Sequence, residues 1–340
     1  MTQQICLVPE LSGLGGTASF QARMIQGLIE RDISHSYDIT NPENKAILVI
    51  GGSRYLWQLW QAKRRGVRIV QRLNGMNWMH RVENTAPRAF LRAEVNNRIL
   101  AFIRRNLADH IVYQSQFSRE WWERVFKPLP TPNQVTYNGV DLAQYSPSGP
   151  ESPPNDHFRI LLVEGHLDGA YARGLDTAVR LAAQVRAQYH LAVELMVAGE
   201  VSDKIKAQAH ALAPEVWITW QGVVPRSAIP AIDRSAHVLF SSDLNAACPN
   251  SVIEALACGL PVLAYDTGAL AELIQDGAGE VVPYGADHWQ LEDPLIPPLA
   301  EACWHILQDN QAYRSRARAR AEAAFSLNTM VTGYLQALGA

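Results

Sequence analysis

The run Pro249–Ile274, PNSVIEALACGLPVLAYDTGALAELI, narrows the possible folds more than any other part of the chain. Pro249 has no backbone N–H, which suits a helix entry, where that donor has no intrahelical partner anyway. Ser251 and Glu254 have the spacing of a capping box, and Gly259 with Pro261 stops the helix after about two turns. PVLAY is a short apolar run, as expected of a parallel strand covered on both faces. Asp266-Thr267-Gly268 then breaks the strand and opens a second helix. Two helix N-termini are therefore expected at one sheet edge, each offering unpaired N–H groups and partial positive charge to an anion. Such an edge suits the phosphates of a nucleotide.

Strand and helix alternate along the rest of the chain as well. Ile5–Pro9 reads as a strand, Ser12–Thr17 as a glycine-rich loop and Ala18–Arg31 as a helix. Ala46–Ile50, Val67–Gln71 and His110–Tyr113 read as buried strands, with helices over Arg88–Leu107 and Phe117–Phe126. Ser146–Asp156, SPSGPESPPND, is too rich in Pro and Ser for either element and is read as a linker. The alternation then restarts, with strands at Arg159–Val163, Ala192–Ala198, Val216–Thr219 and His237–Phe240. Helices are expected over Leu175–Gln188, Val201–Leu212, Leu295–Gln308, Gln311–Ala324 and Asn328–Leu338. This pattern predicts α/β architecture with doubly wound parallel sheets. The expected division is an N-terminal domain over 1–147, a second over 157–325, and a terminal helix within 326–340 that packs back on the first. Two such halves would place a ligand cleft between two sheet edges.

Length and charge bound the function. A chain of 340 residues is long enough for two cores, and a net charge of −3 gives no global affinity for nucleic acid. Cys6, Cys248, Cys258 and Cys303 have neither metal-ligand spacing nor a disulfide framework, which predicts a reduced, cytoplasmic protein without a metal. No signal peptide or apolar run of spanning length is seen. Charge is nonetheless uneven. Arg54–Arg105 holds twelve Lys/Arg against Glu83 and Glu94, a local balance of 12 − 2 = +10, with Trp57, Trp60, Trp78, Phe90 and Phe102 interleaved. Solvated helix faces would give this pattern, and so would a surface for anionic lipid or an anionic acceptor.

Gly13-Leu14-Gly15-Gly16-Thr17-Ala18 follows a strand, opens a helix and fits the G-x-G-x-x-A dinucleotide pattern. The same residues would also serve a plain strand-to-helix turn that needs positive φ. A nicotinamide site further wants an acid near the end of the second strand, for which Asp38 is a passable candidate. Glu254 completes the expected cap, yet a carboxylate at that place could also accept hydrogen bonds from ribose hydroxyls.

Five blocks taken in order resemble the family 4 glycosyltransferases of the GT-B fold. They are GLGGTASF, TYNGVDLAQYSP (Thr136–Pro147), ILLVEGHLDGAYARGLDTA (Ile160–Ala178), ITWQGVVPRSAIPAIDRSAHVLFSSD (Ile218–Asp243) and the Pro249–Ile274 run. The resemblance implies two Rossmann-like domains facing a cleft, with the donor in the C-terminal domain and the acceptor in the N-terminal one. It implies transfer of a hexose from a nucleotide sugar, UDP-linked by family habit, with retention and without metal or cofactor. The acceptor would be a glycan, a lipid-linked molecule or a small molecule, and the enzyme cytoplasmic or peripheral on a membrane.

Residue by residue, the resemblance puts Gly15 and Gly16 near the donor diphosphate and Gly222 and Val223 near its base. Asn250, Ser251 and Val252 would present amides to the donor sugar or phosphate, and Glu254 would bind ribose. The family's cationic positions read His166 and Arg173 here, and Arg173 keeps a permanent forked charge. The first carboxylate of the family's Glu pair would fall at Ala246, and its acceptor-side histidine at Asn74, with His80 close by. These departures keep other readings open: a non-catalytic nucleotide-sugar-binding protein, a nucleotide-sugar epimerase, or a NAD-dependent oxidoreductase.

Overall fold

The computed structural model describes residues 4–13, 15–169 and 172–340. Leu14 of the glycine loop and Ala170-Tyr171 of the third block lie outside the described residues. The chain forms two units, Met1–Gly139 with Leu327–Ala340, and Val140–Ser326. The Ser/Pro-rich stretch read as the linker belongs to the second unit, where Arg234 donates to the Glu151 carboxylate at 2.6 Å and to the Ser146 carbonyl at 3.2 Å.

The first unit is a six-stranded sheet of β1 (Gln4–Val8), β2 (Ser34–Ser36), β3 (Asn44–Ile50), β4 (Arg68–Leu73), β5 (His110–Tyr113) and β6 (Asn133–Val135). Its order is β2-β1-β3-β4-β5-β6, and every pair is parallel. Strand periodicity sorts the side chains between two layers. Ile5 and Leu7 face α1 (Gly16–Ile29) and α12 (Leu327–Leu338), where Phe20, Met24, Met330 and Tyr334 complete the core. A Cβ at Gly27 would lie 2.3 Å from Val331, so glycine lets α1 and α12 cross closely. Cys6 and Val8 face the opposite layer, built from α2 (Leu56–Arg64), α3 (Pro87–Phe102) and a π-helical turn over Ile103–Leu107. The expected Arg88–Leu107 helix is thus α3 plus that turn. Within the same unit α4 (Gln116–Phe126) is capped by Ser115, whose hydroxyl accepts from the Ser118 N–H at 3.0 Å.

The second unit is a parallel sheet of β7 (Phe158–His166), β8 (Val193–Glu200), β9 (Trp217–Gly222), β10 (Val238–Ser241), β11 (Val262–Tyr265) and β12 (Gly279–Val282). Its order is β12-β11-β10-β7-β8-β9, so the chain winds outward from β7 in one direction and then reverses to lay down β10. This is the 3-2-1-4-5-6 order of dinucleotide-binding folds, whose ligands sit beyond the carboxyl ends of the strands where the order reverses. Here that point lies between β7 and β10. On one face α5 (Ala172–Tyr189) buries Leu175, Ala178, Val179, Ala182 and Val185 at helical spacing, beside α10 (Ile296–Gln308). On the other, α8 (Asn250–Ala257) packs against α7 (Ile229–Arg234) and α11 (Asn310–Ala324).

Two expectations for the opening run need correction. The N-cap of α8 is Pro249, with no side-chain cap; Ser251 lies inside the helix and makes no capping box with Glu254. The proline ends the loop in extended backbone (φ −67°, ψ 128°) and takes the position that a Ser cap would need. The second expected helix, α9, is a single turn at Leu270–Leu273. One helix N-terminus of useful length therefore follows the β10 loop rather than two.

Candidate functional site

All strands of the second sheet run parallel, so the loops after β7, β8, β9, β10 and β11 share one edge. That edge receives the ends of the expected donor residues. His166 is the last residue of β7, Arg173 lies in the first turn of α5, and Gly222 ends β9 in left-handed backbone (φ +67°), which glycine tolerates without strain. Val223, which follows, is exposed. Asn250, Ser251 and Val252 form the first turn of α8, where backbone N–H groups have no intrahelical acceptor. Two residues further on, Glu254 is buried.

Both candidate cations are already held. His166 Nδ1 lies 3.4 Å from the Glu200 carboxylate and Nε2 lies 3.8 Å from Asp168. Arg173 donates to the Leu291 carbonyl at 3.0 Å and stands 3.8 Å from Asp293. Leu291 itself has φ +56°, so this loop turns its carbonyl with a non-glycine residue in left-handed backbone. A phosphate arriving here would compete with the carboxylates beside both side chains.

Sequence reasoning missed a carboxyl pair at the point where the strand order reverses. Glu164, near the end of β7, accepts a hydrogen bond from the Ser242 hydroxyl at 3.3 Å. Burial pushes its carboxyl well above the usual range, and the charge of Asp243 adds to that; burial raises Asp243 itself to about 6. Ionisation is thus disfavoured at both carboxyls by burial, and further at Glu164 by the charge of Asp243. Glu164 and Ser242 are 78 positions apart and meet only because β7 and β10 are neighbours. α5 closes over the same place, since a Cβ at Gly174 would fall 2.6 Å from the Ser242 side chain.

Beside the pair, Asn245 occupies left-handed backbone (φ +57°) and is 3% exposed, and neither atom of its carboxamide has a hydrogen-bond partner among the described residues. Thr267, in the loop after β11, is buried with its hydroxyl likewise unmatched among the described residues. These two loops interlock: Ala269 N–H donates to the Ala246 carbonyl at 2.8 Å, and a Cβ on Gly268 would collide with the Ala246 backbone at 2.5 Å. Beneath α8, the buried Asp233 carboxyl is pushed up by burial and by the Glu254 charge.

The remaining sequence candidates lie in the first unit. Gly15 is the N-cap of α1 with ordinary φ of −65°, and a Cβ there would meet nothing within 4 Å; Gly16 begins the helix. Only Gly13, at φ +97°, needs glycine for its backbone. Asn74 follows β4, and its carbonyl accepts from Trp122 Nε1 at 2.7 Å. His80 is buried with Nε2 2.8 Å from Glu94, which also accepts from Arg81 at 2.7 Å. Hydrogen bonds from Arg81 and His80 hold the Glu94 carboxyl down at about 2, so His80 is engaged in this cluster. Asp38, the candidate for a nicotinamide ribose, spends one carboxylate oxygen on the Thr40 N–H and hydroxyl at 2.8 and 2.7 Å. Among the described residues no group of His, Cys, Asp or Glu could hold a metal, and no helix is long and apolar enough to cross a membrane.

The two six-stranded parallel sheets with flanking helices define a protein of the GT-B fold class. Sucrose-phosphate synthase from Thermosynechococcus elongatus aligns over 98% of both chains with a TM-score of 0.73 at 16% identity. HepE from Anabaena, solved with UDP and glucose, aligns over 99% of both chains with a TM-score of 0.71 at 16% identity. At such identity these likenesses establish the fold. Residues 150–317, just under half of the chain, match the family model described as Glycosyl transferases group 1. A lipopolysaccharide core biosynthesis mannosyltransferase, LpcC from Rhizobium leguminosarum bv. viciae, is 29% identical over 198 residues. That match spans 55% of this chain and 55% of the relative.

Proposed function

We propose that the protein is a glycosyltransferase that moves a hexosyl group from a nucleotide sugar to an acceptor hydroxyl, with retention and without a metal ion. The observation that carries this reading is the single sheet edge of the second unit. There β7, β9 and the β10–α8 loop end together in the part of the chain that matches the family model. Gly222 and Val223 take the base, Glu254 the ribose, and the first-turn amides of Asn250, Ser251 and Val252 the phosphate or sugar. The Ala246 side chain cannot hydrogen-bond a hydroxyl. The buried, unmatched carboxamide of Asn245 supplies that contact instead, since leaving such a group unpaired costs about 1–3 kcal/mol.

In the reaction the bond from the anomeric carbon to the diphosphate oxygen breaks. The acceptor oxygen bonds to the same carbon from the same face, and its proton passes to the departing phosphate oxygen. Arg173 stabilises the charge growing on the leaving diphosphate, assisted by His166 once phosphate replaces its carboxylate partners. UDP is the favoured carrier, in keeping with the nucleotide in the HepE structure, and the acceptor is a glycan or lipid-linked molecule taken by the first unit.

A panel of UDP- and GDP-linked hexoses tests the reading. One nucleotide sugar should raise the melting temperature, by a stabilisation of about 2.7 kcal/mol at a hundredfold excess over Kd. The same compound should be hydrolysed slowly or transferred. Ala246, together with the carboxylates beside His166 and Arg173, favours one rival, a protein that binds the donor without turning it over. Stabilisation with no release of nucleotide diphosphate would establish that rival.

A further inference from the structure

The +10 segment is not uniformly available to a partner. Lys63 pairs with Asp109, Arg81 with Glu94, and Arg65 and Arg68 donate to the carbonyls of Ile39 and Ala337. Arg72 and Arg104 are buried, the first against Phe20 and the second on the Tyr113 hydroxyl. Six remain: Arg54, Arg64, Arg88, Arg92, Arg98 and Arg105 are exposed, with no carboxylate partner among the described residues. Their placement is ordered. Along α3 and its π turn, Arg88, Leu91, Arg92, Val95, Arg98, Phe102 and Arg105 recur at helical spacing, and all are exposed. Of the sixteen residues of α3 only Asn97 is buried, and no acid lies on the outward stripe, because Glu94 turns to His80 and Arg81. On α2, Trp57 and Trp60 stack at 4.7 Å, Arg64 covers Trp60, and Trp57 is 62% exposed.

Both helices belong to one layer. Leu59 and Ala62 of α2 and Ile103 and Leu107 of the π turn enter the same core cluster with Cys6, Val8 and Ile47, so their outward faces open on the same side of the first sheet. We infer that this side docks on an anionic lipid bilayer. The arginines meet headgroup phosphates, while Leu91, Val95, Phe102 and the tryptophan pair enter the boundary with the acyl chains. Interleaved apolar side chains favour lipid over a purely charged polymer, and a chain of net charge −3 has no general attraction to polyanions. The inference goes beyond the transferase reading and does not need it.

Co-sedimentation of the whole protein, without nucleotide, with vesicles of phosphatidylcholine alone or with added phosphatidylglycerol provides the test. Binding should require phosphatidylglycerol and weaken with salt. The variant Arg88→Glu/Arg92→Glu/Arg98→Glu should lose at least ~100-fold in partitioning, at about fivefold for each charge removed. Trp57→Ser/Trp60→Ser should weaken binding while leaving its salt dependence in place. Both variants should keep the wild-type melting temperature and its shift with a nucleotide sugar, which separates this inference from the donor site. Absence of lipid-dependent sedimentation, or equal binding by the arginine variant, would overturn it. So would heparin binding as tight as vesicle binding and indifferent to the tryptophans, or a wild-type dimer that the arginine variant dissolves.

Discussion

The two units are built on the same kind of six-stranded parallel sheet, yet they keep their charge in opposite places. In the second unit it gathers at the strand ends and is paired or half-buried: Glu164 with Asp243, His166 between Glu200 and Asp168, Arg173 beside Asp293. In the first, six exposed arginines have no carboxylate partner among the described residues, on the outside of α2, α3 and their flanks. The arrangement follows from what each region meets. A small polar ligand is recognised by a few groups held at converging strand ends, where the position of each group decides the contact. An extended charged surface is met by mobile side chains in water, where individual contacts are weak and act by number.

The contrast predicts different responses to mutation. The largest effect belongs to the strand-end cation. Arg173→Ala should lower turnover by about a hundred- to a thousandfold while donor affinity changes far less, because the guanidinium serves charge that develops in the transition state. Steady-state rates over a range of donor concentration would reveal the split, and unchanged turnover removes Arg173 from the mechanism.

The half-buried carboxyls Glu164 and Asp243 should make stability depend on pH in a way that the arginine face does not. Asp243 rises from its ordinary 3.8 to about 6 on folding, so the contribution of its protonated form is complete below 3.8 and is lost as pH rises through about 6. Asp243→Asn removes that loss and also the charge that pushes Glu164 up. The variant should therefore be more stable than the wild type at alkaline pH, by roughly 1–3 kcal/mol, with the gap closing in mild acid. Denaturant midpoints at several pH values measure this. A gap that widens as pH falls would contradict the assignment.

The smallest effect concerns the run that first suggested the fold. Since Pro249 is the N-cap of α8, Ser251→Ala should change stability by less than about 0.5 kcal/mol, against about 1 kcal/mol for a true Ser cap. A loss of the larger size would restore the capping box.

These positions also show how far the sequence could be read. Apolar runs such as Ile47–Ile50 and Val262–Tyr265 are strands in the structure because both faces are covered, and burial of that kind leaves a continuous signal. The short strands β2 and β6, at opposite edges of the first sheet, carry polar residues and escape such reading: Ser34–Ser36 and Asn133–Val135 are three residues each. His166, Arg173 and the first turn of α8 were reachable through motif resemblance. Glu164 with Ser242 and Asp243 was not, because only the reversal of strand order at β7 and β10 joins them. The arginine face was visible as a charge excess, but which six side chains lack a carboxylate partner among the described residues depends on contacts as distant as Arg68 with Ala337.

The central claim is that the carboxyl edge of the second sheet holds a nucleotide diphosphate sugar. Calorimetric titration of UDP into the wild-type protein and into Glu254→Gln tests it most directly. The account predicts saturable binding at one site per chain, weakened about tenfold by the loss of a charged hydrogen bond to ribose. Absence of binding by UDP and by every other nucleoside diphosphate, or equal affinity in Glu254→Gln, would contradict it.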